Sequence, residues 1–295
     1  MVPVIIGGAV GAKVISDFWQ ADKNEHEARN VNYEAFTMIE AASRKLRSQY
    51  EKAEGTMLKL ANRKKGIMSG TLPKFVAVHE KVVQINFNKK LSAEVIRSLA
   101  LRPEDLNLMN QMISVSGVQM SDREIVGTLL FSAEHGGLAG GIGGLIIGGM
   151  SGAFVGAIFT GLSGAIKKDA KIKLDIAYTR SDEAEVIAHN TDTARIALEN
   201  IDNKACDLLK LLTQMNALLL KSINHTSKLI ERNGFNANHY SDADIDAIMN
   251  CCNFAAAVSD ILKAPLFDSE GKISGQIDKT LHAGNEYIKK MQAVG

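Results

Sequence analysis

Apolar residues recur along this chain in steps of three and four, most clearly in two long stretches. In the first, Phe36, Ile39, Ser43, Leu46, Tyr50, Ala53, Met57 and Leu60 share one side of a helix, with charged residues on the other sides. The pattern can be followed back through Val14, Ile15 and Phe18, while Gly66, Gly70 and Pro73 predict its end. A helix over about residues 12–66 would be roughly 80 Å long. Gly55 weakens it by about 1 kcal/mol without breaking it. In the second stretch, Ile187, Thr191, Ala194, Leu198, Ile201, Ala205, Leu208, Leu212, Met215, Leu219, Ser222, Thr226 and Leu229 step without slipping. A stripe held this long is a coiled-coil-like seam. It predicts a helix over about 182–233, roughly 78 Å long, stopped by Asn233-Gly234.

Shorter elements fill the rest. Leu72, Phe75, Val76, His79, Val82 and Val83 predict a helix up to about Phe87. Ser92 and Pro103 open two short helices. Ser121-Asp122-Arg123-Glu124 reads as a capping box. It starts a helix that carries Ile125, Val126, Leu129 and Leu130 on into a glycine-rich stretch. Helices at about 242–263, between a Ser241 cap and a Pro265 stop, and at 273–292 follow the second long helix. Phe267–Lys272 forms the turn between them.

Neither long stripe can be buried by its own helix, so the two are expected side by side. The pattern predicts an all-α fold: an elongated antiparallel helical bundle built on two long helices, with a Gly-rich apolar helical segment or hairpin at one end. Its parts are an apolar N-terminus with the first long helix (1–66), a head region (67–180), and the second long helix with the C-terminal helices (181–295).

Composition sharpens this. Only four prolines and 5% aromatic residues favour long helices over a sheet. Lys and Arg number 34 against 33 Asp and Glu, a balance that removes the general electrostatic case for a nucleic-acid partner. The three cysteines, Cys206, Cys251 and Cys252, have no disulfide or metal-ligand spacing and read as idle thiols. Catalytic motifs are missing too. Gly161-Leu162-Ser163-Gly164-Ala165-Ile166-Lys167 lacks the Gly-Lys-Ser/Thr of a phosphate loop, and there is no HExxH. No enzyme activity, cofactor or metal is expected. His79 and His225 lie near apolar stripes and are expected to be hydrogen-bonded core histidines. The run Arg63-Lys64-Lys65 is expected on a solvated face, where a weak contact with anionic lipid is the alternative.

The informative segment is residues 136–166. Its 31 residues contain no charge, proline, Asn or Gln, and twelve are glycine. Gly136, Gly140, Gly144, Gly148, Gly152 and Gly156 fall every fourth residue, and Gly164 rejoins the series after Thr160. That spacing lines one side of a helix with hydrogen atoms and lets a second backbone come close. Ile142, Ile146, Ile147, Phe154 and Phe159 supply the large apolar side chains between. In water such a helix is poor, because each glycine costs about 1 kcal/mol relative to alanine. It needs a close partner or lipid.

Ile142 to Thr160 is about the length of one membrane span. Lys167, Lys168, Lys171 and Lys173 flank it, and the positive-inside rule places that flank in the cytoplasm. A hairpin turning near Met150-Ser151-Gly152 has arms of only about 22 Å unless Ile125–Ser132 is added. That addition brings Glu134 and His135 to membrane depth. His135 beside Glu134 is a candidate pH gate on insertion, or a solvated boundary pair. The third arrangement is a helical hairpin buried in protein. The N-terminal Ile5-Ile6-Gly7-Gly8-Ala9-Val10-Gly11 repeats the style. Its uncharged run, Met1 to Ala12, is too short to span a bilayer and lacks a basic start, so no cleavable signal peptide is evident. Residence is expected in the cytoplasm or at the inner membrane.

Long helices around a central apolar Gly/Ala-rich segment resemble, in layout, the α-helical pore-forming toxins of the cytolysin A type. An apolar glycine-containing N-terminus, a charged helix beginning at Asp22-Lys23-Asn24-Glu25 and a later glycine zipper are similar to bacterial glycine-zipper proteins. The resemblance carries no individual residue role. It implies membrane permeabilisation by an oligomer. The residues themselves leave two readings open. One is a protein that anchors in or permeabilises a lipid bilayer through 136–166. The other is a helical scaffold, bound to itself or to a helical protein partner, with the zipper buried.

Overall fold

The computed structural model describes residues 26–85, 87, 101–131, 181–268 and 271–294. Among these residues every regular element is helical: α1 (His26–Val82), α2 (Pro103–Ser116), α3 (Asp122–Leu130), α4 (Ser181–Asn233), α5 (Asp242–Lys263) and α6 (Gly275–Val294), with a 3-10 turn at Ala237–His239. The all-α class is thus observed.

The second stripe was legible almost residue by residue. Thr191, Ala194, Leu198, Ile201, Ala205, Leu208, Leu212, Met215, Leu219, Thr226 and Leu229 are all buried. Gly234 ends α4 as the spacing predicts, with φ +65° and its N–H donating to Ile230 O. Both serine caps form. Ser121 and Glu124 close a reciprocal capping box at α3, and Ser241 and Asp244 close one at α5.

The first long helix does not stop at Gly66. α1 runs on through Gly66, Gly70 and Pro73 to Val82. The reason is tertiary. Gly66 and Gly70 face solvent, while Ile67, Met68, Leu72 and Phe75 between and after them are buried. Burying four large apolar side chains, at about 1.5–3 kcal/mol each, outweighs the glycine and proline penalties. The predicted break and the predicted separate helix are therefore one element. The predicted short helix at Ser92 lies outside the described residues.

The chain divides into two compact units, Met1–Thr56 with Ala153–Asn203, and Met57–Gly152 with Lys204–Gly295. In the first, Lys52 pairs with Asp202 at 2.8 Å. The Asp192 carboxyl is held below its ordinary value chiefly by Arg195, and more weakly by Lys45 of α1. Moving from 45 to 52 on α1 accompanies moving from 192 to 202 on α4, so here the two helices run in the same direction.

The second unit gives the same sense by a different route. Near residue 64, α1 meets the end of α5. Just past the end of α1, Phe87 packs edge-on against Tyr240, just ahead of α5, with ring centroids 5.6 Å apart. Hence α1 and α5 are antiparallel. α4 and α5 are antiparallel too, since Arg232 reaches Asp244 at 3.0 Å and Cys251 faces Thr226 and Ser222. α1 and α4 must then be parallel. This corrects the expectation that the two long helices oppose each other. Antiparallel packing belongs to sequence neighbours: α4 with α5, and α5 with α6 through Phe254 and Tyr287 at 5.5 Å.

Candidate functional site

The residues expected to enter a membrane or pack a partner helix lie outside the described residues. They are Gly136, Gly140, Gly144, Gly148, Gly152, Gly156, Gly164, Ile142, Ile146, Ile147, Phe154 and Phe159, with the flanking Lys167, Lys168, Lys171 and Lys173. His135 and the N-terminal glycines lie outside them as well. The described residues do reach the point at which the chain heads towards this segment, and that point is built in detail.

α3 ends at Leu130. The next residue, Phe131, leaves the helix in extended backbone, φ −101° and ψ 158°. The helix therefore does not carry on towards the glycine-rich stretch, contrary to its apolar run. Ile125, Val126, Leu129 and Leu130 are spent on the protein core, each 7% exposed or less. Phe131 forms an isolated parallel bridge with Phe267 in the α5–α6 connection. Their rings stack at 4.8 Å. The N–H groups of Leu266 and Phe267 both donate to Leu130 O, at 2.7 and 2.9 Å. The connection itself is tied off by Asp268, whose N–H donates to Lys272 O and whose carboxylate accepts from Lys272 N–H, with Gly271 at φ +76° in the bend.

Beneath this junction lies Lys64. Its side chain is fully buried. Its Nζ donates to Leu129 O at 3.1 Å, Leu262 O at 3.0 Å and Ala264 O at 2.7 Å. Leu129 is in the last turn of α3. Leu262 is in the last turn of α5, and Ala264 is its C-cap. These carbonyls are among those a helix leaves without an intrahelical partner. The negative ends of two helices thus converge on one cation. An ammonium has three donors and finds three acceptors, whereas a neutral amine has only two. Burial pushes the Lys64 pKa down from 10.5 to about 7, with no neighbouring charge contributing. Each of the ammonium's three N–H groups has a carbonyl acceptor there.

This corrects the expectation that Arg63-Lys64-Lys65 is a solvated face. Lys65 donates to Val118 O at 3.2 Å, and Lys64 is sealed in the core. The signal was present in the sequence. Leu60, Lys64 and Met68 are four apart, so Lys64 stands on the apolar stripe of its own helix. A displaced amine pKa often marks a catalytic lysine. Here every N–H is engaged and no solvent reaches the nitrogen, so the amine is poised to brace backbone rather than to attack a substrate.

The other candidate chemistry falls as follows. His79 is buried against the Phe75 ring at 5.7 Å. His225 is exposed, not a core residue, because it lies off the α4 stripe. Cys251 and Cys252 are buried and form no disulfide. Burial raises the Cys251 pKa. It pushes Cys252 up to about 12, aided by the adjacent Cys251. Among the described residues no group of three or more His, Cys, Asp or Glu side chains is placed to hold a metal.

No protein family, characterised protein or solved structure matches this chain.

Proposed function

We propose that this chain is a membrane-active helical protein that anchors in or permeabilises a lipid bilayer through residues 136–166, acting as an oligomer. One observation carries the reading. Thirty-one consecutive residues have no charge, while glycine recurs at every fourth position through Gly156. Such a segment is stable as a helix only in lipid or against a close neighbour.

The described residues support a single span over an extended hairpin. A hairpin long enough to cross would have to recruit Ile125–Ser132. Ile125, Val126, Leu129 and Leu130 are buried in protein, and Phe131 is bridged to Phe267. Ile142–Thr160 alone has about the length of one span. Lys167, Lys168, Lys171 and Lys173 would hold its C-terminal flank at a cytoplasmic surface. Among the described residues one helix, α5, is long and apolar enough to cross a membrane, but more than half of its apolar window is buried inside the protein. It is capped by Ser241 and packed by Phe254, Val258 and Leu262, as a core helix is.

The test is cell fractionation followed by an alkaline carbonate wash, with dye release from liposomes alongside. The expected result is a carbonate-resistant membrane fraction and dye release that falls at least several-fold in Gly144→Leu and Gly148→Leu. A protein found only in the soluble fraction, bound to no liposome at any pH, would replace this reading with that of a helical scaffold whose zipper is internal.

A further inference from the structure

We draw no further inference here: the strongest candidate, the solvent-facing strip of α1 on which Gly66, Ser69, Gly70 and Ala77 leave a smooth surface, is a run of small side chains, and nothing among the described residues shows what covers it.

Discussion

Gly284 of α6 stands so close to Leu211 of α4 that a Cβ on Gly284 would lie 2.6 Å from Leu211 Cδ2 and 2.9 Å from Cδ1. Leu211 is itself buried, so it has little room to withdraw. This is where α4 and α6 approach most tightly among the described glycines, and the Lys204–Asp278 ion pair lies two turns before it. Gly284→Ala should therefore destabilise the protein. Overpacking costs about 1–3 kcal/mol, against about 1 kcal/mol regained in helix propensity. A net loss of about 1 kcal/mol is expected in chemical denaturation. Gly66→Ala, where nothing lies within 4 Å of the added carbon, should instead gain about 0.5–1 kcal/mol. A gain at both positions would show that Leu211 steps aside freely.

The α4–α5 corner should be acid-sensitive. The Asp244 carboxyl is held below its ordinary value, first by the Ser241 backbone N–H and side chain, then by Arg232. A depressed carboxylate contributes stability that is present above the unfolded value of 3.8 and is lost as pH falls through the folded one. Asp244→Asn should shrink the acid-side loss of thermal stability below about pH 4. Ser241→Ala should cost about 1 kcal/mol at neutral pH, because it removes the cap. An unchanged acid limb in Asp244→Asn would mean that other carboxylates govern it.

Whole-protein stability should also carry the mark of Lys64. Its folded pKa lies below its unfolded one, so the unfolded chain binds more protons between about 7 and 10.5. The melting temperature attributable to this group rises with pH across that window. Lys64→Met should lose that rise when compared with wild type buffer by buffer. Parallel curves for the two proteins would contradict the assignment.

Thiol reactivity should separate the cysteines cleanly. Cys206 is partly exposed, whereas Cys251 and Cys252 are buried with raised pKa values. The thiolate is the reactive form. Titration of the native protein with a disulfide reagent at mildly alkaline pH should show one accessible thiol, and three after denaturation. Fast reaction of all three in the native state would mean that the α4–α5 interface opens readily.

Periodicity made the helices legible because each buried face is long. Thr191 through Leu229 keeps one register, and only one side of α4 could go inwards. Caps were legible because Ser121–Glu124 and Ser241–Asp244 act within four residues. The course of α1 through Pro73 was not, since Ile67, Met68, Leu72 and Phe75 are held by partners remote in sequence. The burial of Lys64 is legible from its place between Leu60 and Met68, but its acceptors are not. Its three acceptors are 65 to 200 residues away, and a charge run gives no sign that backbone carbonyls will gather round its middle member. Helix direction is not legible, because two stripes of similar length are satisfied equally well by parallel or antiparallel packing. The decision rests on pairs such as Lys52–Asp202 and Phe87–Tyr240, which the stripes do not encode.

The shared direction of α1 and α4 has a kinetic consequence. A parallel pair cannot be closed by a short turn, so α1 cannot find its place on α4 by simple hairpin zipping. The α4–α5–α6 meander, joined by short turns at 234–241 and 264–274, is the part with low contact order and should assemble first. Docking of α1, and with it the seating of Lys64 under three carbonyls, would then be the late and slower event on the folding path.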